Sequence, residues 1–140
     1  MNESVGNQAR HVSLSLATFV LVCFFFPWVQ LSCVGVRDSA SGADLARSDG
    51  FLWVIPISMA MVLITGLIKV WKTVPSIFSL SGLAGGCISA YSIYLEHVRL
   101  DDAPRLVATR WTVLFWLVML ACVGIAAASL IFYVDRSRAP

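Results

Sequence analysis

Four long apolar runs alternate with short polar segments along the 140-residue chain. Apart from cysteine and tyrosine, the runs lack ionisable side chains, and each has about 18 residues or more, which is the length that a membrane-spanning helix needs. A helix on the surface of a soluble bundle would carry a polar stripe, and none of the runs has one. The pattern therefore predicts transmembrane helices at about residues 12–31, 51–71, 77–95 and 111–134.

The polar segments between the runs predict how these helices connect. The link at residues 72–76 is short enough to require an antiparallel pair, and Pro75 suits the start of a helix. Residues 35–50 are rich in Ser, Gly and Asp, which are typical of a loop. We therefore predict an all-α fold, a four-helix transmembrane bundle with up-down-up-down topology, in which residues 1–140 form a single integral membrane domain.

The composition agrees with a membrane location. Hydrophobic residues make up 59% of the chain and charged residues only 13%, against roughly 25% charged residues in ordinary globular chains. The net charge is +2 and there is no cluster of basic residues, so the sequence lacks the electrostatic footprint of a nucleic-acid-binding protein. The predicted partner is the lipid bilayer.

The charges next to the runs predict the orientation in the membrane. Each side of the predicted bundle has five Lys and Arg residues, so the positive-inside rule gives no preference. The side that holds both termini has two acidic residues, and the opposite side has six. This difference favours termini in the cytoplasm.

The stretch 24–33, FFFPWVQLSC, ends the first run and decides whether its helix is retained. The run is longer than the apolar core of a signal peptide, and Gln30 stands where a lipobox before Cys33 would have an aliphatic residue. We therefore expect an uncleaved helix that reaches the membrane interface, with Pro27 bending its last turn. Aromatic residues near the helix ends are predicted to be interfacial anchors: Trp28, Trp53, Trp71, Trp111 and Tyr133.

The motifs PWVQLSC and SGADLA, which lie within residues 27–46, resemble a stretch of small bacterial four-helix membrane proteins of uncharacterised function. In those proteins a Pro-Trp near the end of helix 1 precedes a Ser-Cys and then a Ser-Gly-x-Asp-Leu-Ala loop. The resemblance covers only this stretch. It implies a bacterial inner membrane, and it implies no activity, cofactor or site residue.

Residue types that often carry chemistry favour structural roles in this sequence. The four cysteines include no C-x-x-C pair, and Cys87 and Cys122 fall near the middle of predicted helices, where a thiol acts as a small hydrophobe. His11 and His97 lie at predicted helix ends, whereas haem ligands would lie inside the bilayer. We predict no catalytic, cofactor-binding or metal-binding residue and no cofactor, and we do not expect an enzyme.

A metal site and a transport path are the weaker alternatives. Ligand types without a recognised metal-binding spacing follow the third run: Glu96, His97, Asp101 and Asp102. None of the four runs contains the carboxylate that coupled transport usually keeps inside a membrane. Several polar residues could line a transport path: Thr18, Gln30, Thr65, Ser89, Ser92 and Thr112. Hydroxyl groups in membrane helices more often bond to the backbone or to a neighbouring helix.

Small residues recur at every fourth position in two adjacent stripes on the third predicted helix and in a shorter stripe on the fourth. Such faces let helix backbones approach closely in lipid. Packing within one bundle is the simpler explanation, but the double stripe is wider than one partner helix needs. We therefore predict helix-packing or interaction sites at Ser81, Gly82, Gly85, Gly86, Ser89, Ala90, Gly124 and Ala128.

The predicted function is non-catalytic. The chain would be a small structural or interaction subunit that packs beside other membrane proteins, or beside copies of itself, through the third helix. The alternative is a homo-oligomeric pore or facilitator for a neutral or lipid-like solute. On the first hypothesis Gly86→Leu disrupts association with partners, whereas on the second a bulky residue at Ser89 or Thr112 blocks flux.

Overall fold

A computed structural model gives the structure of the protein at residues 2–33, 36–67, 75–101 and 108–137. This part of the chain is mostly helical, with one small three-stranded sheet. The all-α expectation is therefore wrong in this respect. The elements in chain order are α1 (Asn2–Cys23), β1 (Pro27–Cys33), β2 (Val36–Ser41), α2 (Gly42–Ser48), a 3-10 helix (Gly50–Trp53), α3 (Val54–Leu67), α4 (Pro75–Asp101), β3 (Ala108–Trp111) and α5 (Val113–Ser137).

Three helical segments of the described chain are long and apolar enough to cross a membrane: Gly50–Leu67, Ile77–Asp101 and Val113–Val134. By length and composition they identify the chain as a membrane protein with transmembrane helices. The apolar part of α1, Gln8–Cys23, is shorter than these three. Many large apolar side chains on the long helices are exposed, among them Leu67, Leu120 and Val113, as expected where lipid replaces water.

The first helix ends at Cys23, so the expectation of a helix through residue 31 is wrong. The backbone tightens into a turn at Phe24–Phe26, and Pro27 then disfavours the helical conformation of the residue before it. From Val29 to Ser32 the side chains alternate between the inside and the outside, the period of a strand. The end of α1 and the start of β1 are both apolar, so in the sequence they look like one continuous apolar segment.

The sheet has the strand order β2-β1-β3, and β1 pairs antiparallel with both neighbours. The segment 35–50, which was expected to be a loop, thus contains β2 and the short helix α2. A capping box begins α2, because the side chains and backbone N–H groups of Ser41 and Asp44 bond reciprocally. Connections therefore place the sheet after α1 and before α5, at the end of these helices opposite the chain termini.

The four long helices contact one another in pairs. α1 contacts α3 and α5, and α4 contacts the same two helices. The core between them includes Ile55 and Met59 of α3, and at the end remote from the sheet Phe78 of α4 packs edge-to-face on Phe132 of α5, with 5.5 Å between ring centroids. Helix α4 extends six residues beyond the predicted end at residue 95, which brings the ionisable groups of the expected loop into the helix.

Candidate functional site: the sheet end of the helices

The sheet end comprises the three strands, α2, the 3-10 helix, the last turn of α4 and the first turn of α5. Trp28 forms its centre and is only 1% exposed. Its indole Nε1 donates to the carbonyl oxygen of Cys23 at 2.8 Å. The indole ring packs edge-to-face against Phe24 and Phe115, with 5.7 and 6.1 Å between centroids. The ring therefore joins the end of α1, the sheet and α5.

An irregularity in β1 explains how Trp28 reaches this position. The register between β1 and β2 shifts between Pro27 and Val29, which is the mark of a β-bulge. Because of the bulge, Trp28 and Val29 are both buried, although consecutive residues of a regular strand face opposite sides. The expectation that Trp28 anchors the chain at the membrane surface is wrong, because its N–H is satisfied by protein and its ring is covered.

The other predicted anchors differ in their surroundings. Trp53 and Tyr133 are exposed near helix ends, where an interfacial ring would lie. Trp111 is half-buried, and its ring stacks on His97 with a centroid separation of 4.9 Å. Trp71 and the predicted connector 72–74 lie outside the described residues.

Glu96 is the most unexpected residue of this region. The sequence pattern predicts a loop at this position, but the residue lies in α4 and is only 6% exposed. Its carboxylate is 3.6 Å from the guanidinium of Arg99, and that guanidinium also donates to the carboxylate of Asp49. One arginine thus joins a buried carboxylate of α4 to the residue that precedes the 3-10 helix. Contrary to expectation, a carboxylate does lie within a helix of membrane-spanning length.

A second cluster of polar and aromatic groups surrounds His97 on the neighbouring face of α4. The imidazole Nδ1 lies 3.0 Å from Oδ2 of Asp101, and the indole of Trp111 donates to Oδ1 of the same residue at 3.2 Å. Phe115 and Trp116 of α5 add edge-to-face contacts with the imidazole. The cluster therefore fastens β3 and the start of α5 to the end of α4.

These side chains do not converge as a metal site would. Within residues 2–33, 36–67, 75–101 and 108–137, no group of three or more His, Cys, Asp or Glu residues could hold a metal ion. Asp102, the fourth residue of the metal alternative, lies outside the described residues. Cys23 and Cys122 are buried thiols, and Cys87 is an exposed one.

The capping box of α2 is a site of electrostatic interaction at the edge of the sheet. The hydroxyl of Ser41 donates to Oδ2 of Asp44 at 2.7 Å, and the backbone N–H of Ser41 donates to the same oxygen at 3.1 Å. These bonds, with a smaller contribution from Arg47, lower the pKa of Asp44 because they favour its charged form. The short helix is thereby fixed at the edge of the sheet.

Several residues proposed for a polar path have other partners in the structure. The hydroxyl of Thr112 donates to the carbonyl oxygens of Pro27 and Trp28, both at 3.0 Å, and so ties the start of α5 to β1. The hydroxyls of Thr18 and Ser92 donate to backbone carbonyls of their own helices, and Gln30 is exposed on the sheet. The hydroxyls of Thr18, Ser92 and Thr112 therefore bond to backbone carbonyls of the chain.

The small-residue stripes of α4 face two different helices of the same chain. A Cβ at Gly86 would lie 2.7 Å from the carbonyl oxygen of Cys122, and one at Gly82 would lie 2.0 Å from Oγ of Ser129, both on α5. Gly85 belongs to the other stripe and lies against Ser58 of α3. The double stripe is therefore explained by two partners within the chain.

Hydrogen bonds support these close contacts. Ser89 and Ser58 share a hydrogen bond of 2.8 Å, and Ser81 and Thr65 share one of 3.0 Å, all between α4 and α3. On α5, Gly124 lies against Leu16 of α1. Ala128 is buried and Ala90 is half-buried against the core. Gly86→Leu consequently tests the packing of α4 on α5, and no longer isolates association with a partner.

Comparisons with known proteins find no relative of this chain. No protein-family model matches the sequence, and searches of curated proteins and of solved structures find no match either.

Proposed function

We propose that the protein is a non-catalytic, multi-pass membrane subunit that binds another membrane protein through its sheet end. The proposal depends on one observation: the polar groups of α4 have partners within the chain, whereas polar side chains on the outward side of the sheet are exposed. The small-residue stripes and hydroxyls of α4 are occupied by α3 and α5, whereas the outward side of the sheet keeps exposed Gln30, Ser39 and Arg110. A sheet with exposed polar side chains, joined to transmembrane helices, is suited to recognition.

The architecture that we propose for this subunit is a single up-down-up-down bundle of α1, α3, α4 and α5. The pairwise contacts of these helices and the position of the sheet between α1 and α5 support it. We further propose the bacterial inner membrane as its location, on the resemblance of residues 27–46, and cytoplasmic termini, on the distribution of acidic residues. The sheet would then lie on the extracytoplasmic side.

Site-specific photocrosslinking in the native membrane tests the proposal. A photoreactive residue at Ser39, on the exposed side of β2, should give one discrete adduct with another membrane protein or with a second copy of the chain. The matched control is the same residue at Leu120, which is exposed on the lipid-facing side of α5. Absence of a protein adduct from Ser39, together with a monomeric mass in gentle detergent, would contradict the proposal.

The second candidate is a homo-oligomeric pore or facilitator for a neutral or lipid-like solute. The buried hydroxyls of Ser13 and Ser129 favour it, because among the described residues neither hydroxyl has a hydrogen-bond partner. Solute flux through purified protein in liposomes, reduced by Ser13→Leu or Ser129→Leu and unaffected by substitution at Ser39, would support this function in place of the first.

A further inference from the structure

The outer face of the sheet, which we define as Gln30, Ser32, Arg37, Ser39 and Arg110, is polar throughout. The register pairs Ser32 with Arg37 and Gln30 with Ser39 on one side, and Gln30 with Arg110 on the other. Paired residues of neighbouring strands point to the same side of a sheet, and residues two apart do as well. All five side chains therefore share one side, opposite buried Val29.

The two arginines of the outer face flank the central strand. Arg37 lies on β2 and Arg110 on β3, two residues apart in register along β1. Strands about 4.8 Å apart and a rise of about 3.4 Å per residue put their Cα atoms on the order of 12 Å apart. Because each side chain reaches about half that distance, both guanidinium groups can engage carboxylates of one short peptide above Gln30 and Ser32.

The ion pairs of the sheet end leave these two cations available. Asp44 pairs with Arg47, Glu96 and Asp49 pair with Arg99, and Asp101 pairs with His97. Arg37 and Arg110 take part in no ion pair among the described residues, and both are exposed.

Asp38 is the acidic residue nearest in sequence to Arg37, but it does not neutralise the outer face. It pairs in register with Leu31, so it belongs to the opposite side of the sheet. Its carboxylate accepts a hydrogen bond from the backbone N–H of Ser39 at 2.8 Å. The five residues that define the outer face therefore supply two positive charges and three uncharged hydrogen-bonding groups.

We infer that the outer face binds an acidic segment of a partner protein, an inference that rests on the proposed function. Arginine suits carboxylates because its planar guanidinium can form two parallel hydrogen bonds with them. The outer face lies on the side of the sheet opposite buried Val29, so the packing of the helices leaves it uncovered. The strands lie outside the three segments of membrane-spanning length, where a protein segment in solution can reach them.

The test uses the full chain in nanodiscs of uncharged phosphatidylcholine and a fluorescent peptide of ten glutamates as the probe. Fluorescence anisotropy at low salt should show binding, because two arginines on one face attract a polyanion. Arg37→Gln with Arg110→Gln should weaken binding about tenfold or more, and the corresponding double lysine variant should recover only part of it, because lysine keeps the charge but not the paired hydrogen bonds. Circular dichroism and the tryptophan fluorescence of the protein, to which buried Trp28 contributes, report whether each variant is folded.

A matched control separates this face from the net charge of the protein. Arg47→Gln removes one positive charge at the same end of the molecule, from an exposed residue of α2 that already has an acidic partner. Its effect on peptide binding should be less than twofold, whereas each single substitution on the outer face should weaken binding several-fold. Equal effects at Arg47 and Arg37 would overturn the inference.

The remaining outcomes are also decisive. Failure of the wild-type protein to bind the peptide at low salt overturns the inference, and so does tighter binding to vesicles with anionic phospholipid than to the peptide. If either of these results is found and Ser39 still forms a photoadduct with a membrane protein, the proposed function stands, but the partner does not bind through an acidic segment. If the photoadduct is absent as well, both proposals fail.

Discussion

Gly86 and Gly42 each let another part of the chain approach so closely that a Cβ would not fit. Gly86 lies between transmembrane helices, whereas Gly42 lies at the sheet end. At Gly86 the neighbour is the backbone of α5, with the carbonyl oxygen of Cys122 2.7 Å from an ideal Cβ. At Gly42 the neighbour is the indole of Trp28, at 2.8 Å. Between helices in lipid there is no gain from removing apolar surface from water, so close van der Waals contact and hydrogen bonds hold them. At the sheet end, burial of an aromatic ring contributes as it does in a soluble protein.

The polar contacts of the two regions also differ. In the long helices, away from the sheet end, the described polar contacts are hydrogen bonds of hydroxyl groups, either to backbone carbonyls, as in Ser79 with Ser129, or to each other, as in Ser58 with Ser89. At the sheet end they are ion pairs, as in Arg99 with Asp49 and with Glu96. A charge is expensive where water is absent, whereas at the membrane surface a partly exposed arginine can remain hydrated. We expect the two regions to respond differently to substitution, and four predictions test this.

Trp28→Ala should have the largest effect. It removes the ring that joins α1, the sheet and α5, together with the hydrogen bond to Cys23, and should lower the free energy of unfolding by about 3–5 kcal/mol. Denaturation in mixed micelles measures the loss. Trp53→Ala is the control, and because Trp53 is exposed it should cost about 1 kcal/mol or less. Equal losses would mean that Trp28 does not anchor the sheet.

Gly86→Leu should come next, with a loss of about 2–3 kcal/mol from overpacking. The new side chain meets the backbone of α5 at Cys122 and Ala126, which cannot rotate away as a side chain could. The same denaturation experiment applies, with Ala84→Leu as the control, because Ala84 is on the exposed side of α4. Unchanged stability of Gly86→Leu would show that α4 and α5 are not closely packed at this point.

Arg99→Gln should cost about 1–2 kcal/mol, because it leaves the buried carboxylate of Glu96 without its cation. Adding Glu96→Gln to the same chain should recover at least half of that loss, since the buried charge is then removed as well. A double-mutant cycle on unfolding free energies measures the coupling. Additive effects of the two substitutions would argue that Arg99 serves Asp49 alone.

The smallest effect should be the pH dependence of α2. The pKa of Asp44 is lowered in the folded protein by hydrogen bonds from Ser41. The capping box therefore contributes stability above the usual aspartate pKa of about 3.9, and this contribution is lost as the pH falls through the lower folded value. Hydrogen exchange of the α2 amides should show loss of protection only in strong acid. Asp44→Asn should remove this step; a step near neutral pH would contradict the assignment.

Much of the membrane part could be predicted from local composition. The helices predicted at residues 51–71, 77–95 and 111–134 overlap the three membrane-length helices, because a stretch of about 18 or more residues without a charge is typical of a helix in lipid. The sheet end was missed, although it had local signals. Residues 29–32 alternate between apolar and polar shortly after a proline, and Ser41 stands three residues before Asp44, as in a capping box. The apolar character of residues 24–31 outweighed the first signal, and the Ser, Gly and Asp content of residues 35–50 outweighed the second.

The sequence by itself determined which segments prefer lipid and which prefer water, because that preference is a sum over neighbouring residues. Only the tertiary structure decided how similar residues are used: Trp28 as a core residue, Glu96 as a buried member of an ion pair, and Gly85 and Gly86 as contacts of two different helices. These outcomes depend on partners far away in the chain, such as Asp49 with Arg99, 50 residues apart, or Pro27 with Thr112, 85 residues apart. A local pattern contains no information about which distant groups will meet, because strand register and helix packing select them.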